Sequence, residues 1–213
     1  MKQICIMGGS RGIGLATVKV LLQRGYHVTA FSRSVGRIDV RNDRLTLISG
    51  DALNRVDVEQ AVAGADVVVQ TLGVPINLKL IRGPINLFSQ ATEVLVPVLE
   101  SAGIKRLVTV TGFGAGDSAQ SIGAMQRIPF RMVFGQAYDD KSRQEAIIKA
   151  SSLDWTIVRP GILTNQPLKT PYRIRTEPSD WRNGIISRSA VADYIANSIF
   201  DPSTVRVAAV LSN

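Results

Sequence analysis

Short apolar runs alternate with amphipathic stretches along the chain. The first run, KQICIM, breaks at GGSRGIG, after which Leu15, Val18 and Leu22 recur at helical spacing as far as Gly25. This reads as strand, glycine turn, helix. Further strands are predicted in YHVTAFSR, RLTLISG and ADVVVQTLG, with a helix over DVEQAVAG before the last of these. Pro84 and Asn86 open a long helical stretch to about Ala102, and KRLVTVTG makes a fifth strand. The helix DDKSRQEAIIKAS leads to a sixth strand in LDWTIVRPG, and SAVADYIANSIF and VRVAAVL supply a last helix and strand.

Repeated βα units with nearly continuous apolar strands require an α/β fold: a doubly wound, mostly parallel sheet covered by helices on both faces and joined by right-handed crossovers. The predicted strand order is 3-2-1-4-5-6-7. Ligands in such sheets bind at the carboxyl ends of the strands, where the order reverses between the first and fourth. Two stretches without clear periodicity, 112–137 and 164–186, emerge on that edge and are predicted to be substrate-side loops. A chain of 213 residues with 45% apolar content suits a single domain over 1–213.

Gly8, Gly12 and Gly14 lie directly after a strand and directly before a helix, the context that makes such a run informative. The turn brings the backbone at Ile13 and the helix N-terminus up to a pyrophosphate, with Ser10 as a further donor, so a Rossmann-type dinucleotide-binding domain is expected. NAD-selective versions end the second strand with an acid that repels a 2′-phosphate. Here the strand ends in Phe31, Ser32 and Arg33, and Arg11 precedes the second glycine. Two guanidinium groups and a hydroxyl at these positions favour NADP(H). Asp51 can accept from the adenine amino group while Ala52 and Leu53 pack near the ring, or it can serve as a helix-start acid. Leu72 and Gly73 end the fourth strand, where a small residue lets the backbone approach the cofactor.

A net charge of +8 is spread along the chain without a basic tail, and the basic residues are not interleaved with aromatics, so no nucleic-acid partner is expected. No run approaches a membrane span. Cys5 is the single cysteine and His27 the single histidine, at the second strand, which excludes a cysteine zinc site, a two-His metal set and a Ser/His triad within the chain. Met1 and Lys2 lead directly into a strand without the regions of a secretion signal, and a cytoplasmic protein is expected.

GGSRGIG, FSR, GDAL, TLG, VTVTG, the Lys141 to Glu145 pair and WTIVRPG together resemble the atypical short-chain dehydrogenase/reductase family over nearly the whole length. The size is most similar to the branch containing biliverdin-IXβ/flavin reductases and small negative-regulator-like NADP-binding proteins. The resemblance implies NADPH held with its nicotinamide over the substrate loops, Lys141 contacting the nicotinamide ribose, and Pro160 and Gly161 beside the carboxamide. For Pro160 and Gly161 a plain strand-terminating turn is the alternative, and for Lys141 an exposed pair with Glu145. In the larger family a tyrosine four residues before the lysine donates a proton. Here Tyr138 is three before Lys141, a difference of roughly 100° of helical turn, so it is either a proton donor or a packing residue. The strand-five hydroxyl is Thr111 in one register, while another places Gly112 there.

The leading expectation is an NADPH-dependent oxidoreductase that passes a hydride to a small planar acceptor, such as a flavin, quinone or tetrapyrrole-like molecule. Phe113, Phe130 and Phe134 are either walls of that pocket or core residues, and Arg127 and Arg131 can attract an acidic acceptor. The alternatives are a non-catalytic NADP(H)-binding redox sensor, favoured by the altered Tyr/Lys spacing, and an epimerase or dehydratase of the extended branch.

Overall fold

The computed structural model describes residues 2–74, 85–168 and 171–213, with the backbone but not the side chains of 124–131 and 133. Successive residues of a strand face opposite sides of a sheet, and the strands here are apolar on both. Ile4 and Ile6 of β1 (Gln3–Met7) face one helical layer while Cys5 and Met7 face the other. The first layer holds α1 (Gly12–Gln23) and α5 (Arg188–Ser198), which bury Val18, Leu21, Val191 and Ile195. The second holds α2 (Arg55–Val62), α3 (Leu87–Ser101) and α4 (Ala124–Ala150), which bury Val58, Leu95, Leu99 and Ile148. Fully burying each such side chain contributes about 1.5–3 kcal/mol, so the contact of strands with helices on both faces holds the layers together.

The remaining strands are β2 (His27–Phe31), β3 (Leu45–Ile48), β4 (Val67–Gln70), β5 (Arg106–Val110), β6 (Asp154–Pro160), β7 (Ile162–Thr164), β8 (Arg173–Arg175), β9 (Ile185–Ser187) and β10 (Val207–Ser212). They form an eight-stranded sheet of order β3-β2-β1-β4-β5-β6-β10-β8 and a two-stranded parallel sheet β7-β9. The order up to β10 is the predicted one. Ile4 pairs with both Val28 and Val67, so the reversal point lies at the carboxyl end of β1, beside the glycine turn.

The structure corrects two expectations. The stretch 112–137 is not one loop: its second half is the beginning of the 27-residue helix α4. The stretch 164–186 contains β8, which runs antiparallel to β10 and covers that sheet edge, with Val210 opposite Arg175. Asn86 and Ala102 flank α3 as expected. Pro84 and the side chains of Arg127, Phe130 and Arg131 lie outside the described residues.

Candidate cofactor and substrate site

The glycine turn is as narrow as its sequence requires. Gly8 has φ +89°, and a Cβ there would lie 2.8 Å from the Thr71 carbonyl oxygen at the end of β4. A Cβ on Gly14 would come within 2.2 Å of the Gly8 carbonyl oxygen, so α1 can start this close to β1 only with glycine at both places. Gly12 differs: with φ +58°, it borders open space apart from Arg188 Nε, 3.9 Å from the position of its absent Cβ. The first-turn N–H groups of Gly12, Ile13 and Gly14 lack intrahelical acceptors, and Arg11 at the N-cap makes no side-chain cap. An uncapped helix start facing open space suits an anion, which is the fit a dinucleotide pyrophosphate needs.

At the end of β2, Ser32 Oγ donates to Ser10 Oγ at 2.9 Å and lies 3.3 Å from Ser34 Oγ, which is itself 3.1 Å from Ser10 Oγ. Three hydroxyls thus cluster beside the exposed Arg33. Ser34 was not singled out from the sequence, although the SRS triplet places it two residues beyond Ser32. Arg11 Nη2 donates to the Gly73 carbonyl at 3.3 Å, so its guanidinium leans towards β4 and does not join Arg33. Asp51 Oδ1 accepts from Leu53 N at 3.1 Å, and Asn54 rather than Asp51 caps α2. Ala52 is buried, Leu53 exposed and Leu72 packed at the margin of the core.

At the carboxyl end of β5, Lys141 Nζ donates to the Thr111 carbonyl and stands 4.6 Å from the centre of the Phe88 ring. Burial lowers its pKa to about 8, against the opposing pull of Glu145 and Asp140. Tyr138 reaches the same place. A Cβ on Gly112 would lie 2.6 Å from Tyr138 Oη, and burial pushes this phenol up to about 12. The three-residue spacing therefore still brings both functional groups to Thr111 and Gly112. Phe134 meets the Tyr138 ring edge-on at 6.3 Å.

The Thr111 hydroxyl does not point to this place. It donates to Glu145 Oε1 at 2.7 Å within a buried cluster, where Arg159 Nε donates to the same oxygen at 3.0 Å. Arg159 is fully buried and Glu145 is 1% exposed, so Glu145 is no exposed partner of Lys141. Arg159 also pairs with Asp117 and lies 4.7 Å over the Trp181 ring. Sequence reasoning missed this hub, since a charged residue in a strand gives no sign of complete burial. Phe113 belongs to a core cluster with Ile122, Trp181 and Val210. Pro160 is buried, and its carbonyl accepts from Phe113 N at 3.0 Å. A Cβ on Gly161 would lie 2.1 Å from the Gly184 carbonyl oxygen, so strand packing alone demands this glycine. His27 opens β2, at the opposite end of the strands from this site.

Comparison with known proteins finds relatives and shared folds. The chain is 27% identical over 204 residues to an uncharacterised chloroplastic protein of Arabidopsis thaliana, covering 93% of this chain and 72% of that protein. It is 26% identical over 146 residues to a 3-beta-hydroxysteroid dehydrogenase of Mycolicibacterium neoaurum, covering 65% of this chain and 40% of that one. Among solved structures, a short-chain dehydrogenase/reductase of Veillonella parvula in complex with NADP superimposes with a TM-score of 0.83 at 24% identity, over 100% of this chain and 94% of that chain. The anaerobilin reductase ChuY of Escherichia coli O157:H7 gives 0.82 at 23% identity, over 100% and 97%. The profile of the NAD(P)H-binding family matches residues 8–202. From the glycine turn through β6 and α5, this chain belongs to the NAD(P)H-binding family.

Proposed function

We propose that the protein is an NADPH-dependent oxidoreductase that reduces a small planar acceptor bound over the carboxyl ends of β5 and β6. The observation that carries this reading is the meeting of Tyr138 Oη and Lys141 Nζ at Thr111 and Gly112, on the sheet edge where α1 presents its uncapped N-terminus. When bound, NADPH would supply a hydride. The residues of the chain divide the remaining work. The α1 N-terminus holds the pyrophosphate, and Arg33 with the Ser10, Ser32 and Ser34 hydroxyls receives the 2′-phosphate. Lys141 places a positive charge beside Thr111, where the nicotinamide ribose is expected, and Tyr138 keeps its proton at neutral pH and donates it to the reduced acceptor. Hydride and proton together balance a two-electron reduction. The relatives named as a dehydrogenase and a reductase support this class of reaction.

A second reading, an NADP(H)-binding sensor without turnover, is favoured by one observation: the Thr111 hydroxyl is committed to Glu145 in the buried cluster, away from the place where Lys141 Nζ and Tyr138 Oη meet. One experiment separates the two. Purified protein is titrated with NADPH and NADH, then given FMN, riboflavin and a quinone series while NADPH absorbance is followed. NADPH preference with acceptor-dependent oxidation supports the reductase, NADPH binding without oxidation of any acceptor supports the sensor, and NADH preference overturns the assignment of Arg33.

A further inference from the structure

The start of α5 carries a cation that the reading above does not use. Arg188 is the first residue of that helix, and Ser187 before it caps Ala190 N at 3.1 Å. Arg188 Nε is the nearest atom to the position of a Cβ on Gly12, at 3.9 Å, and Nη1 donates to Asn165 Oδ1 at 2.8 Å. The two helices pack against each other on one face of the sheet, and both start at its carboxyl edge. An anion seated on the first-turn N–H groups of α1 therefore meets the Arg188 guanidinium from one side and the α1 dipole from below. A second tie runs to the same segment, since Ser189 Oγ donates to the Gln166 carbonyl at 3.1 Å.

We infer that Arg188 is a pyrophosphate-binding residue that also couples dinucleotide binding to the substrate-side segment 164–168. One edge of its guanidinium faces the glycine turn while another nitrogen holds Asn165, so an occupied turn fixes the side chain that fixes the segment. The inference rests on the dinucleotide reading of the site. Its ligand chemistry is a bridging diphosphate, distinct from the 2′-phosphate beside Arg33.

The test compares wild type, Arg188→Gln, Arg188→Lys and Arg33→Ala by titration with NADPH, with 2′-AMP and inorganic pyrophosphate as competing probes. Arg188→Gln is expected to weaken NADPH and pyrophosphate roughly 10- to 100-fold while 2′-AMP binds as in wild type, and Arg188→Lys is expected to recover part of the loss. Arg33→Ala is expected to do the reverse, losing 2′-AMP and keeping pyrophosphate. Limited proteolysis within 164–175 is expected to slow on adding NADPH to wild type and to be unaffected by saturating NADPH in Arg188→Gln. An Arg188→Gln variant that binds NADPH like wild type overturns the inference. So does one that loses NADPH and 2′-AMP equally with a lowered Tm, which makes Arg188 a purely structural residue. Wild type that binds no NADPH overturns the dinucleotide reading itself, and the inference with it, an outcome distinguishable from wild type and variant binding alike.

Discussion

Lys141 carries an ammonium into surroundings that penalise charge, and this sets a sign for its pH dependence. Burial lowers its pKa to about 8, whereas an unfolded lysine titrates at about 10.4. Between these values the unfolded chain holds more protons than the folded one, so this group's contribution to stability rises with pH across that window. Its cost is fully present below about pH 8. Lys141→Met is therefore expected to melt above wild type at neutral pH, with the gap closing between about pH 8 and 10; a gap that does not change in a pH series of Tm values would refute this. Two glycines give a sharper contrast. In Gly112→Ala the new methyl group displaces the Tyr138 hydroxyl, and turnover is expected to fall roughly tenfold or more while NADPH affinity holds. In Gly14→Ala the methyl group meets backbone oxygen, and both stability, by about 1–3 kcal/mol, and NADPH affinity are expected to fall. Denaturation curves and titrations on the two variants check both outcomes. The glycine turn was legible in the sequence because spacing between strand and helix fixes where it stands, and Lys141 was legible only through the family resemblance. The direction of the Thr111 hydroxyl was not, because it depends on Glu145 being buried, and Glu145 is buried by Arg159 from a later strand.

Among elements, α3 and α4 are joined by a cap that crosses between helices. Asp140, fully buried on α4, accepts from Phe88 N at 2.8 Å and Ser89 N at 3.3 Å, the second and third N–H groups of α3, and from the Ser89 hydroxyl. Asn86, at the N-cap position itself, makes no side-chain cap. The same turn of α3 presents Phe88 to Lys141, so this contact also helps to set the floor of the site. Asp140→Ala leaves buried donors without a partner and is expected to cost about 1–3 kcal/mol, read from chemical denaturation with its linear slope unchanged. No local motif announces such a cap, since its donor and acceptor lie 52 residues apart. The first half of α4 was hidden for another reason. Pro129 and Gly135 interrupt it, and its apolar residues follow no single face. The three residues of β8 read Arg-Ile-Arg, too short and too polar to signal a strand before β10 offers them an edge.

At the scale of the whole molecule, the strand order up to β10 was legible because βα alternation leaves few right-handed ways to cover both faces of a sheet. The overall charge of +8 was equally plain, and its consequence belongs here. Binding of a polyanionic cofactor to a cationic protein is expected to weaken by about tenfold as salt rises from roughly 0.05 to 0.5 M, with NADPH showing a steeper slope than NADH. Titrations at a series of salt concentrations measure both slopes, and equal slopes would remove the 2′-phosphate from the electrostatic account. The interior position of Arg159 has a different reach. Because it pairs with Asp117 and lies over the Trp181 ring, it ties the segment that follows β5 to the segment between β8 and β9 from within the core. In the proposed reductase this tie would act like the rivet of a pair of pliers: sequence exchanged elsewhere in the two segments would alter which molecule is gripped, and the joint would hold.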